Sequence, residues 1–93
     1  MDYHFTSCAA APDCFAQLAA LANAAFAEYE GAPEVDADFM AWYLRRPGSS
    51  PELCVAALHG NELVATVLIA VQPLTLGGET VRCGIIDTVS TAP

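Results

Sequence analysis

The five residues PGSSP at positions 47–51 divide the chain into halves with different hydrophobic periods. Two prolines and a glycine in so short a span continue neither a helix nor a central strand, so each side folds by its own pattern. Before the break, apolar residues recur at helical spacing. After it they form β-branched runs separated by glycine turns. A chain of 93 residues organised in this way reads as one α+β domain over 1–93, with helices packed on a sheet.

In the first half, YHFTSC at 3–8 reads as a short strand. Pro12 suits the first position of a helix and Asp13 its first turn, near the positive end of the dipole. Phe15, Leu18, Leu21, Ala22, Ala25, Phe26 and Tyr29 then share one face, and Gly31 stands where a helix ends. A second helix is expected over 36–46. Asp36 is its N-cap, Phe39, Trp42 and Tyr43 share a face, and Arg45 and Arg46 complement its C-terminal end. Aromatics at this spacing read as core.

In the second half, ELCVAALH, the pair Gly60-Asn61 and ELVATVLIAVQ read as a hairpin. Pro73 is expected to interrupt the second strand. Gly77-Gly78 makes another turn, and TVRCGIIDTVST returns as the last strand, with a bulge expected at Cys83-Gly84. The expected order is β-α-α-β-β-β, with an antiparallel meander.

Charge and composition narrow the partners. The net charge is −8 and there is no lysine, which disfavours nucleic acid and anionic membrane surfaces. Eighteen of the apolar residues are alanine, which favours helix but buries little surface. The longest apolar run, 63–71, is too short for a membrane-spanning helix. Glu28, Glu30, Glu34, Asp36 and Asp38 form an acidic cluster, either a solvated surface or an attraction for a cationic acceptor. Cys8, Cys14, Cys54 and Cys83 have no CxxC spacing, and the N-terminus has no secretory pattern. They read as reduced, mostly buried thiols of a cytoplasmic protein, with two disulfides as the alternative. No ligand pair among His4, Cys8, Cys14 and His59 has metal-site spacing, and both histidines are expected at the surface.

Two segments carry a resemblance. ELCVAALHGNELVATVLIAV resembles the strand–turn–strand hairpin of the GNAT superfamily of acetyl-CoA-dependent N-acetyltransferases. IIDTVSTAP, with its V-x-x-x-P ending, is similar to the fourth strand that leads into that family's pyrophosphate loop. The NAAF of the first helix fits as well. The resemblance implies the N-terminal half of such an enzyme, truncated before the R/Q-x-x-G-x-G/A loop that grips the cofactor at a helix start. It further implies transfer of acetyl from acetyl-CoA to a small-molecule or protein amine, with weak or no cofactor binding and no turnover by these 93 residues alone.

The same resemblance gives residues their roles. The main chain of Asp87, Thr88, Val89, Ser90 and Thr91 would hold the acetyl and pantetheine arm. Asp87 would act as a base, or orient a water that takes the amine proton. The alternative places Asp87 on the solvent face or accepting bonds from nearby threonines. Phe26, Tyr29 and Trp42 would line the acceptor pocket, with core packing as their other reading. Cys83 is read as a thiol without a nucleophilic role, because no histidine is placed to activate it. A last strand without its neighbour leaves an edge open to pairing, so a homodimer through 80–91 is expected. The competing reading is a small non-enzymatic interaction module that uses the same edge.

Overall fold

A computed structural model describes residues 2–93. The element order is β1 (His4–Ser7), α1 (Cys14–Ala25), α2 (Ala37–Tyr43), β2 (Val55–His59), β3 (Glu62–Leu76) and β4 (Glu79–Thr91), with short 3-10 turns at Cys8–Ala10 and Pro51–Leu53. The strands form one antiparallel sheet in the order β1-β2-β3-β4, so the protein is α+β with two helices on a four-stranded sheet. No helix among the described residues is long and apolar enough to cross a membrane.

The helices cover one face. Leu18, Ala19 and Leu21 of α1, Met40 of α2 and Leu44 just beyond it pack against Ala56, Leu58, Leu63 and Leu68 of the sheet. Leu18 and Leu44 are 1% and 0% exposed, and burial of each contributes roughly 1.5–3 kcal/mol. Ala19 and Ala56 are buried with them. Two side-chain amides brace the arrangement. Gln17 donates to the carbonyls of Pro12 (2.7 Å) and Asn61 (2.9 Å) and accepts from Leu63 N (2.7 Å), tying α1 to the β2–β3 turn. Asn23 donates to the Val35 carbonyl and accepts from its N–H, both at 2.8 Å, fixing the segment between the helices.

Several expectations are corrected. α1 begins at Cys14, because Asp13 adopts left-handed backbone (φ 45°) and is the residue before the helix; Pro12 lies outside it. The helix ends at Ala25, with 26–30 continuing as turns before Gly31 (φ 78°). α2 stops at Tyr43, leaving Arg45 and Arg46 past its end, whereas Asp36 does cap it by accepting from Phe39 N at 2.8 Å. Core packing fails for three aromatics: Tyr29 is 66%, Trp42 62% and Phe39 42% exposed. Met40 and Leu44 hold the buried face instead, and the aromatics associate outside it, with Phe39 against both Trp42 and Tyr43.

Pro73 does not interrupt β3. β2 pairs with β3 only as far as Val55↔Val67, so beyond that point β3 has β4 on one side and an open edge on the other. Cys54 Sγ accepts the edge N–H of Ile69 (3.3 Å), and the Gly48 carbonyl accepts that of Val71 (2.6 Å). The nitrogen two residues further along faces the same way, and it belongs to Pro73, which has no hydrogen to donate. Gly48 can approach this closely because it lacks a side chain. It has φ 87°, and a Cβ there would lie 2.3 Å from the Val71 carbonyl oxygen.

The turns at Gly60-Asn61 and Gly77-Gly78 stand where expected, the second with positive φ at both glycines, as a two-residue hairpin turn of this hand requires. Around it β3 and β4 continue as a two-stranded ribbon from Gln72↔Cys83 to Leu76↔Glu79, with residues 73–82 exposed.

Chemical denaturation should separate these roles. Leu44→Ala is expected to cost about 2–5 kcal/mol, whereas Trp42→Ala, on an exposed ring, should cost under about 1 kcal/mol. Gly48→Ala should destabilise by about 1–3 kcal/mol through strain and the clash with β3. Equal losses for Leu44→Ala and Trp42→Ala would contradict this packing.

Candidate functional site

The site is organised by a bulge in β4. Leu68 pairs with Thr88 and the next residue, Ile69, pairs with Ile86, so Asp87 is an extra residue with no partner on β3. The bulge expected at Cys83-Gly84 is therefore misplaced. Cys83 and Gly84 sit in regular register opposite Gln72 and Val71. A bulge bends its strand and re-aims the side chain it carries.

Here the Asp87 carboxyl meets the end of α2. Its Oδ2 accepts from the Tyr43 hydroxyl (2.5 Å) and from Arg46 Nη2 (2.7 Å). Arg46 also donates from Nε to the Tyr43 carbonyl (2.8 Å) and lies 3.8 Å from the centroid of the Tyr43 ring. The three side chains thus form a closed set, with the guanidinium stacked on the phenol and both donors sharing one oxygen. The ion pair is partly wet, with side chains 34% and 27% exposed, so its charge attraction contributes only about 0–1 kcal/mol. Its chief effect is orientation: Asp87 is held in one direction, and α2 is fastened to β4.

Burial, and then the hydrogen bond to Asp87, push the Tyr43 phenol above its ordinary value. It therefore holds its proton and acts as a donor to the carboxyl across the neutral range. Neither Tyr43 nor Arg46 stood out in the sequence as a partner of Asp87, which is 44 and 41 residues away. The available signal was the three-residue spacing of Tyr43 and Arg46, which stacks an arginine on an aromatic at a helix end.

Beside this set, a cavity of about 210 Å³ opens between the helices and the sheet. Its walls are apolar, including Leu18, Phe39 and Met40, while Tyr43, Thr66, Thr88 and Ser90 supply hydroxyls. Thr66 is committed elsewhere: it donates to the Val55 carbonyl (2.9 Å) and lies 3.4 Å from Cys8 Sγ.

The main chain of 87–91 is split between two directions. Ala92 N donates to Val64 O at 2.7 Å, so it faces β3. By the alternation of an antiparallel ladder, Ser90 and Thr88 N–H face the same way, and those of Val89 and Thr91 face the open edge. The side chains of Thr88 and Ser90 line the cavity, whereas Val89 lies on the face away from the helices and is 59% exposed.

The proposed pocket aromatics do not converge. Phe26 and Tyr29 line a separate cavity of about 460 Å³ beside Asn23 and Val35, with Trp42 outside its lining. His4, His59 and the five acids of the inter-helix cluster are all exposed. Among the described residues, no group of three or more His, Cys, Asp or Glu is arranged to hold a metal ion.

The phenol offers a direct check. Tyr43, identified by its loss in Tyr43→Phe, should ionise above ~10 when tyrosinate absorbance is followed against pH. Asp87→Asn should lower that midpoint. Because the folded value is raised, the associated stability is whole below the free phenol's value and is lost as pH rises through the folded one. An unchanged midpoint in Asp87→Asn would show that the hydrogen bond does not govern the phenol. Compared with protein-family models, curated proteins and solved structures, the chain finds no match in any of the three.

Proposed function

We propose that this chain is the N-terminal, acceptor-side portion of a GNAT-type N-acetyltransferase, which moves acetyl from acetyl-CoA to an amine. The observation that carries this reading is the bulge at Asp87 in the fourth strand, directly beside a cavity roofed by both helices. Thioester aminolysis needs donors for the carbonyl oxygen and an acceptor for the amine proton. Val89 and Thr91 supply outward main-chain N–H groups for the acyl arm. Asp87, steadied by Tyr43 and Arg46, orients the water or amine that loses the proton. The amine, small or borne on a protein, enters by the cavity lined with Tyr43, Thr88 and Ser90.

These residues fit the acyl and pantetheine arm but not the pyrophosphate. The 93 residues carry no R/Q-x-x-G-x-G/A run, and their net charge of −8 repels it. Weak binding of acetyl-CoA and no turnover follow for this chain alone. The four free thiols accord with a cytoplasmic setting.

The second reading, a non-enzymatic interaction module, is favoured by the apolar edge strand. Val81, Ile85, Ile86 and Val89 are 42%, 45%, 69% and 59% exposed along β4, and β4 ends the sheet. A homodimer through 80–91, edge to edge, is expected in either reading; in the first it competes with the acyl arm for the outward Val89 and Thr91 N–H groups.

Two measurements test these readings. Titration with S-acetyl-pantetheine should shift the backbone amide resonances within 87–91, weakly and selectively; no shift there at millimolar ligand overturns the acyl-transfer reading. Light scattering should show a dimer that Val89→Pro dissociates, since that change removes an outward donor and spares the ladder with β3. A monomer at every concentration overturns edge pairing.

A further inference from the structure

A hydroxyl without a partner lines the cavity between the helices and the sheet. Ser90 is 4% exposed, and its side chain makes no hydrogen bond among the described residues. Its oxygen is not sealed in, since every fully enclosed side-chain oxygen or nitrogen described has a partner. It opens onto the cavity that Ser90 lines. The neighbouring hydroxyls are turned elsewhere. Thr66, opposite in the ladder, donates to the Val55 carbonyl at 2.9 Å, and the Tyr43 phenol donates to Asp87.

The space in front of Ser90 is small and apolar. Leu18, Met40 and Leu68 form its floor, at 1%, 4% and 4% exposed, and Ala22, Val35 and Phe39 complete the wall. No acidic or basic side chain lines it. Its volume of about 210 Å³ exceeds the roughly 150 Å³ in which an apolar cavity takes up benzene, and falls short of the roughly 300 Å³ at which pockets for larger ligands begin. A single ring is the size of group it takes. Water gains little there, since it needs about two to four polar partners and most of the wall is apolar. An ion would lose its hydration with no opposite charge to meet it.

We propose that this cavity binds one uncharged aromatic ring carrying a single hydrogen-bonding substituent, with that substituent paired to the Ser90 hydroxyl. The ring packs between the aromatic side chains of Phe39 and Tyr43 and the aliphatic floor. The substituent supplies the bond that the protein itself does not give Ser90. Within the acyl-transfer reading, on which this use of the site rests, the ring is the apolar part of the acceptor and any charged nitrogen stays outside. Aliphatic polyamines and zwitterions are then poor ligands.

The test titrates the full chain at neutral pH with three ligands: phenol, toluene, which has the same shape without the hydroxyl, and protonated benzylamine. Methyl resonances of Leu18, Met40 and Leu68 should shift saturably with phenol and toluene at about millimolar ligand, and not with benzylamine. Ser90→Ala should weaken phenol about fivefold, the contribution of one hydrogen bond, and leave toluene unchanged. Its resistance to denaturant should not fall, because no internal bond is lost. Ala22→Leu, on a helix that accepts leucine, should weaken both rings about tenfold by filling the space. Methyls that do not respond to phenol and toluene, benzylamine binding as tightly as phenol, or a Ser90→Ala variant that treats phenol and toluene alike overturns the proposal. Shifts centred on Phe26 and Tyr29 would place the ring in the other cavity and overturn it too. These methyls report separately from the amides of 87–91, so failure here leaves the titration with S-acetyl-pantetheine to stand or fall alone.

Discussion

The fold depends on how the long third strand keeps its exposed side quiet. β3 has 15 residues and β2 only five, so most of β3 has no strand on that side. An unpaired strand edge is a template for uncontrolled association. Three substitutes follow one another along it: the Cys54 sulfur at Ile69, the Gly48 carbonyl at Val71, and Pro73, which has nothing to satisfy. The PGSSP segment that separates the helical and strand-forming halves thus also serves as part of the sheet, with Ser49 bridging to Ala70. With its far side settled, β3 can support all of β4.

Support from β3 sets the position of the bulge. From the Gly77-Gly78 turn the ladder runs in register to Ile69↔Ile86, and from Ala92 on Val64 it runs back to Leu68↔Thr88. The two registers differ by one residue, and the surplus falls on Asp87. The carboxyl is turned toward the end of α2, where Arg46 and Tyr43 receive it. The cavity beside it is framed by helix residues that the Asn23 and Gln17 amides hold in place. Site and scaffold are therefore one set of constraints.

Local chemistry was legible in the sequence where it is self-contained. Asp36 as a cap, Gly60-Asn61 and Gly77-Gly78 as turns, and the antiparallel meander each follow from a few neighbouring residues. The misreadings share a cause. Gly84 suits a bulge, yet a bulge falls where two distant registers fail to match, and nothing local to Asp87 signals that the extra residue is there. Pro73 breaks a central strand, but only comparison with the length of β2 reveals that its nitrogen faces an open edge. Trp42, Phe39 and Tyr29 looked like core because they are large and fall at helical spacing within their own segments. Met40 and Leu44 took the buried side, in one cluster with Leu58, Leu63 and Leu68 of the sheet. Asp87 was marked as a site by its isolation in an apolar strand, while its partners lay beyond any local pattern.

The ribbon beyond Gln72↔Cys83 has a mechanical meaning. It is a cantilever, clamped at one end and free at the Gly77-Gly78 tip, and the clamp lies beside the bulge. Its root at Gln72↔Cys83 lies three residue pairs from Ile69↔Ile86, where the register shift that frees Asp87 begins. Whatever touches the tip therefore pulls, through a lever of two strands, on the junction between the last strand and the second helix.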